Sequence, residues 1–209
     1  MKNRGHTRAN ILTCAEELMQ QRGFHGFSYH HIAERLGIRN AAVHYYFPSK
    51  ADLGVALIGR FRENFRFWAD QMRSRGATPT EAIEGFFDIE ERYCAQTRVC
   101  PLGVTGVELP GIPDPMKDAV RGLLNDVRQW LLTNLEAGRE TGELSFSGNA
   151  ETRADSMLAA LQGSLQLARL TDASAFQRIV EQLRVDLGMD PSPAVREFAA
   201  AQAIRSMPA

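Results

Sequence analysis

The sequence predicts an all-α protein with a three-helix N-terminal head and a larger helical body behind it. Three observations predict it. Apolar residues recur at helical spacing in almost every segment. No stretch alternates apolar and polar residues as a half-buried strand would. The breaks between periodic segments carry capping residues, glycines or prolines.

In the first helix Ile11, Leu12, Ala15, Leu18 and Met19 make one apolar stripe, and Gly23 ends it. Ser28 caps a short second helix carrying Ile32, Ala33 and Leu36, and Gly37 stops it. A third short helix starts at Arg39 or Asn40 and runs to Phe47. Ser49 and Asp52 form a capping-box pattern that opens a long fourth helix, with Leu53, Leu57, Phe61, Phe65, Trp68 and Met72 on its apolar face. Gly76 to Pro79 breaks the pattern, and a fifth helix follows with Ile83, Phe86, Phe87 and Tyr93. Arg98 to Pro115 holds four prolines and three glycines, and reads as mostly loop with one short sixth helix. Val120, Leu123, Leu124, Val127, Leu131 and Leu135 mark a seventh helix ending near Gly138 or Gly142. Met157, Leu158, Leu161, Leu165 and Ala168 mark an eighth. Phe176, Ile179, Val180, Leu183 and Leu187 mark a ninth. These elements divide the chain into an N-terminal three-helix domain (residues 1–50), a larger helical domain (51–190) and a C-terminal tail (191–209); the resemblance described below implies helix-turn-helix DNA binding for the first and effector binding and dimerisation for the second. The order of the tail's amphipathic stretch, Val195 to Ile204, is left open.

With 209 residues, 44% of them hydrophobic, the chain can bury a sizeable core. Charge is unevenly placed. Met1 to Arg75 carries twelve Lys and Arg against six Asp and Glu, whereas the remainder carries twelve against nineteen. All five histidines also fall early. A basic front on an acidic body suits a polyanion-binding module joined to a part that stays off the polyanion. Three cysteines (Cys14, Cys94, Cys100) are too few for a disulfide scaffold. With neither a signal segment nor a membrane span legible, the expectation is a cytoplasmic protein with no membrane partner. The histidines and cysteines lack zinc-ligand spacing, and there is no glycine-rich phosphate loop, so neither metal nor cofactor is expected.

Phe27 to Leu53 carries the sharpest signal. Two helices of roughly eight residues meet at Gly37-Ile38, with small Ala33 where they approach, and Val43 and Phe47 anchor the second. This is helix-turn-helix grammar, in which the second helix presents its N-terminal residues to the DNA major groove. Arg39 suits a bidentate contact to guanine and Asn40 one to adenine. Ala41 and Ala42 allow close backbone approach, and His44 is a further base or phosphate candidate. Ser28, Tyr29, His30, Tyr45, Tyr46 and Lys50 carry groups suited to phosphates.

This block resembles the tetracycline-repressor (TetR) family through Phe24, Gly26, Phe27-Ser28, Ile32-Ala33, Leu36-Gly37-Ile38, Val43, Tyr46-Phe47, Ser49-Lys50 and Leu53. It departs at Arg39, where the family most often has Ser or Thr, and at His44, where it most often has Tyr. The resemblance implies a homodimeric regulator of double-stranded operator DNA, most simply a repressor released by a small molecule or an electrophile. It implies a dimer interface from the eighth and ninth helices. Ala154, Ala159, Ala160, Gly163 and Ser164 sit beside the Leu stripe there, and packing within the subunit is the alternative use for them. It also implies an effector pocket, for which Phe65, Trp68, Phe86, Phe87, Tyr93, Trp130 and Leu131 are the candidate lining.

Cys100-Pro101-Leu102-Gly103, ending at Glu108-Leu109, is similar to a signature of a TetR branch that includes repressors of N-ethylmaleimide-reductase and acrylate-detoxifying operons. There, some members sense electrophiles through a cysteine at the place of Cys100. A helix start after Cys100, Arg98 before it and Arg169 brought near it would together favour the thiolate. Cys94 is then a resolving thiol or an inert residue, and Cys100 itself is a sensor or a packed hydrophobe. Two other classes compete: a cysteine-dependent enzyme, and a protein-interaction adaptor on the same scaffold. No catalytic residues are assigned, because no histidine lies near Cys100 in sequence.

Overall fold

The computed structural model describes residues 4–190, with side chains from residue 7 onward, so the tail from 191 lies outside the described residues. Within them the protein is all-α. The helices are α1 (Arg4–Arg22), α2 (Tyr29–Leu36), α3 (Asn40–Tyr46), α4 (Lys50–Ser74), α5 (Pro79–Ala95), α6 (Pro101–Glu108), α7 (Asp114–Thr141), α8 (Ala150–Leu170) and α9 (Ala173–Asp186).

The starts and stops follow local chemistry. Ser49 Oγ accepts from the Asp52 N–H at 3.1 Å while Asp52 accepts from the Ser49 N–H at 2.9 Å, the reciprocal box the sequence predicts. Thr78 and Glu81 make the same box at the start of α5. Gly37 ends α2 in the left-handed region (φ 62°, ψ 34°), where the next N–H, that of Ile38, reaches back to the Ala33 carbonyl at 3.0 Å.

The predicted loop from Arg98 to Pro115 is mostly helical instead. Pro101 opens α6, and Pro113 and Pro115 flank the start of α7, which begins six residues before Val120. Proline is favourable in a first helical turn, where its missing N–H would be unpaired anyway, so these prolines start helices rather than break them. Gly138 does not end α7. It is buried against Leu144, and Gly142 (φ 77°) makes the stop.

Helices α1 to α3 form the head, with α2 packed on α1 and α3 on α2. Ile11, Leu18, Met19, Ile32, Val43 and Phe47 make its core. Helix α4 packs on α1 near its start and along α7 beyond, joining head to body. In the body α5, α7, α8 and α9 pack together, and the two-residue link Thr171-Asp172 makes α8 and α9 a helical hairpin. The short α6 lies between head and body, against both α1 and α7.

Candidate functional site

The DNA-reading candidate is the outer face of α3. Arg39, at the N-cap, and Asn40, Ala41, His44 and Tyr45 are exposed, and Ala42 and Tyr46 are half-buried, while Val43 and Phe47 point into the head. Tyr45 is 66% exposed and packs edge-on to Tyr46 at 5.1 Å. Ser28 and His30 are exposed at the start of α2, beside His31, whose Nδ1 accepts from the Ser28 N–H at 3.1 Å.

Two residues expected at phosphates are engaged elsewhere. Tyr29 is buried, and its hydroxyl donates to the Phe47 carbonyl at 2.8 Å across the α2–α3 corner. Burial, and next the charge of Asp52, push this phenol up to about 12. It is a strut that sets the angle between the two helices. Lys50 turns inward: its Nζ donates to the Phe27 carbonyl at 2.5 Å and lies 4.7 and 4.8 Å from the ring centroids of Phe24 and Phe27. Its ammonium is thus held by a carbonyl and two aromatic faces, with burial lowering its pKa against the pull of Glu108.

A cavity of about 440 Å³ is bounded by α4, α5, α7, α8, the start of α6 and, through Glu16, α1. Of the predicted lining, Phe65, Trp68, Phe86, Tyr93 and Cys100 are on its wall. Trp130 is not: it backs the wall, packing against Phe65, Trp68 and Phe86 with centroids 5.0–5.8 Å apart. Phe87 and Leu131 are buried in the core away from it, Phe87 under the Arg184 guanidinium at 5.5 Å. Sequence reasoning missed the polar wall, namely Glu16, Asn64, Glu90, Arg92, Gln96 and Gln162. For Glu90 a signal was available. It continues the stripe Ile83, Phe86, Phe87 at helical spacing, a core position where a carboxylate has no business without a partner.

Cys100 is the N-cap of α6, as expected, but the thiolate argument fails. Burial, and next the neighbouring Glu90, push its thiol well above the ordinary value; the Leu102 and Gly103 N–H groups at the helix start act the other way and are outweighed. Arg98 is turned to Glu17 at 3.1 Å, and Arg169 lies at the end of α1, donating to the Gln21 carbonyl at 3.2 Å. Cys94 is half-buried and off the cavity wall, its thiol also raised by burial.

What the sequence did not suggest is how tightly α6 is tied to the head. At its front the Val99 N–H donates to the Gln20 carbonyl and the buried Gln20 Nε2 donates to the Val99 carbonyl, both at 3.2 Å. At its rear the Glu108 carboxylate accepts from the backbone N–H of Phe24 at 2.6 Å and of His25 at 3.0 Å. Those two amides sit in the turn between α1 and α2. Gly23, beside them, has φ 84°, and a Cβ there would lie 2.8 Å from Glu108 Oε1, so only glycine fits the contact. Cys100 and Leu102 on the cavity wall therefore lie on the same short helix that grips the head at both ends.

On the outside of the body, Ala159, Gly163, Leu167 and Leu170 line one exposed face of α8, with Val185 exposed on α9; Leu170 is 82% exposed. Ala154, Leu161 and Ser164 are buried in the subunit's own core, so the small-residue stripe is split between that core and the outer surface. No helix among the described residues is long and apolar enough to cross a membrane, and no group of three or more His, Cys, Asp or Glu among them is placed to hold a metal.

Two family descriptions match the chain. The family described as "Bacterial regulatory proteins, tetR family" matches residues 11–57, and "Tetracyclin repressor-like, C-terminal domain" matches residues 80–183. An HTH-type transcriptional regulator in the lacX 3′ region of Lactococcus lactis is 27% identical over 176 residues, covering 81% of this chain and 86% of that protein. A TetR-family regulator from Agrobacterium tumefaciens superposes with a TM-score of 0.82 at 28% identity, over 88% of this chain and all of the other. The reduced form of E. coli NemR shares the fold, with a TM-score of 0.75 at 21% identity over 87% of this chain and 97% of that one.

Proposed function

The chain belongs to the tetR family of bacterial regulatory proteins, a family of DNA-binding transcriptional regulators rather than enzymes, and we propose that it is a homodimeric repressor whose cavity takes a small-molecule effector. One observation carries the proposal: α6 contributes to the cavity wall at Cys100 and Leu102 and holds the α1–α2 turn through Glu108. A ligand that displaces the start of α6 moves the Gln20–Val99 pair and the Glu108 clamp, and with them the angle at which α3 is presented. Differential stability of a few kcal/mol is enough to empty an operator.

The exposed α8–α9 face supports a two-fold interface, and two heads are what a palindromic operator requires. Sequence is read by Arg39, Asn40, Ala42 and His44, with Ser28, His30, Tyr45 and Tyr46 at the backbone. The resting Cys100, protonated and buried, favours reversible binding. A second reading, covalent capture of an electrophile, rests on its place on the cavity wall.

Selection of bound duplexes from a random library tests the reading. An inverted repeat should be enriched, and Arg39→Ala should relax discrimination at one base pair per half-site by roughly 1–3 kcal/mol. Enrichment of no sequence would overturn it. In the same binding assay, release by N-ethylmaleimide from the parent but not from Cys100→Ser would select the electrophile reading over the reversible one.

A further inference from the structure

Glu90 is 4% exposed on the cavity wall, and its Oε2 has no hydrogen-bond partner among the described residues. The Cys100 thiol lies against the same carboxyl and does not satisfy that oxygen. A buried acceptor left unpaired is costly, and more so when charged, so an orphan of this kind marks a place where a donor belongs. Around it the wall is aromatic: Phe65, Trp68 and Phe86 present rings whose centroids lie 5.8–6.4 Å apart. Aromatic faces attract a cation within about 6 Å, and most strongly where water is excluded.

We propose that the cavity is a site for a protonated amine bearing bulky apolar groups, its N–H donating to Glu90 Oε2 and its body lying against Phe65, Trp68 and Phe86. The proposal deepens the effector-regulated reading above and rests on it for its biological use. The other charges around the cavity leave Glu90 as the group in need of a cation. Glu16, from α1, is already paired with Arg60 at 3.4 Å. Arg92, from α5, is exposed. Tyr93 and Cys100 are held in their neutral forms by burial. The wall residues of α4, α7 and α8 carry no charge. A carboxylate ligand would meet Glu90 with like charge, and the wall's one Lys or Arg among the described residues, Arg92, is exposed rather than buried with it.

The assignment has a pH signature. Burial pushes the Glu90 carboxyl up to about 7, so it is mostly protonated at pH 6 and mostly ionised at pH 8. An ammonium needs the ionised form. Its affinity should therefore rise about tenfold between those pH values, following the ionised fraction of a group with that pKa. A neutral ether has the opposite need, because only the protonated carboxyl can donate to it.

The test compares N-benzyl-2-phenylethylamine, which stays protonated over this range, with benzyl 2-phenylethyl ether, by tryptophan quenching and calorimetry on the full chain without DNA. The amine should tighten about tenfold from pH 6 to pH 8 in the parent, while the ether should not tighten. In Glu90→Gln the amine should lose its pH dependence and bind at least tenfold more weakly at pH 8. An amine affinity that does not change with pH, or no amine binding at millimolar concentration, overturns the proposal. The amine–ether comparison in the parent alone decides it if Glu90→Gln fails to fold. Operator release is measured separately. An amine that binds as described and leaves the operator occupied refutes the regulatory reading and keeps the site; a different compound that releases the operator while the amine fails to bind does the reverse.

Discussion

Replacing Tyr29 by Phe separates a structural role from a DNA contact at one position. The hydroxyl is buried and 2.8 Å from the Phe47 carbonyl, the last link across the α2–α3 corner. Phenylalanine keeps the ring, which packs edge-on to His44 at 4.6 Å, and removes only the donor. The carbonyl is then left without that partner in a buried place, a loss of about 1–2 kcal/mol. For a chain of this size each kcal/mol moves the melting temperature about 2–4 °C, so the variant should melt roughly 2–8 °C lower at equal protomer concentration. Operator binding gives the second readout. A lost phosphate contact would weaken binding to every duplex alike without touching the stability of the fold, and because the hydroxyl is neutral and displaces no counterion the salt slope would stay the same either way. Melting followed by circular dichroism and anisotropy titrations with several duplexes measure both. An unchanged melting temperature with operator affinity weakened across all sequences would refute the strut and restore Tyr29 to the phosphate face.

Two other perturbations follow from the same geometry. Leu170→Glu puts a charge at the most exposed apolar position of the α8–α9 face and should give a monomer by sedimentation at micromolar concentration; a variant that stays dimeric would move the interface elsewhere. Leu161→Glu does not test this, because Leu161 is 1% exposed within its own subunit and the change would unfold the core. Glu90→Gln should also alter stability with pH. The folded carboxyl is raised to about 7 from the ordinary 4.5, so the folded state holds the extra proton and the parent is favoured below about pH 4.5. That advantage is lost as pH rises to 7 and beyond, by roughly 3 kcal/mol relative to the glutamine variant, which denaturant midpoints at pH 5 and pH 8 would read. Parallel pH profiles for the two proteins would contradict it.

The fold was legible because this chain punctuates its helices locally. Ser49 with Asp52, and Gly37 at the end of α2, act within four residues of themselves, so spacing alone reveals them. The prolines from 101 to 115 misled because proline reads as a breaker until its position in the first turn is known. At the DNA face, exposed Asn40, Ala41, His44 and Tyr45 follow from helical period. Tyr29 and Lys50 were assigned by chemical type, and type does not say that a hydroxyl or an ammonium has found a carbonyl inside the head. The ties that matter most for coupling join residues about 80 apart, Gln20 with Val99 and Phe24 with Glu108. Nothing in a local window announces such a pair. Arg169 is the extreme case: its partner, the Gln21 carbonyl, is 148 residues away. Cys100 was placed correctly at a helix start, but its protonation is decided first by burial and then by Glu90, a residue the stripe Ile83, Phe86, Phe87 would have flagged.

The central claim is that α6 carries the state of the cavity to the DNA-reading head through the Glu108 carboxylate. Its most direct measurement is the operator dissociation constant with and without a saturating releasing compound, in the parent and in Glu108→Ala. The parent's ratio defines the coupling, which any bound compound must share reciprocally with the DNA. Removing the carboxylate leaves the cavity wall untouched, so the compound should bind the variant as before while the operator ratio falls toward one. A Glu108→Ala protein that keeps both the parent's operator affinity and its full release ratio would contradict the account.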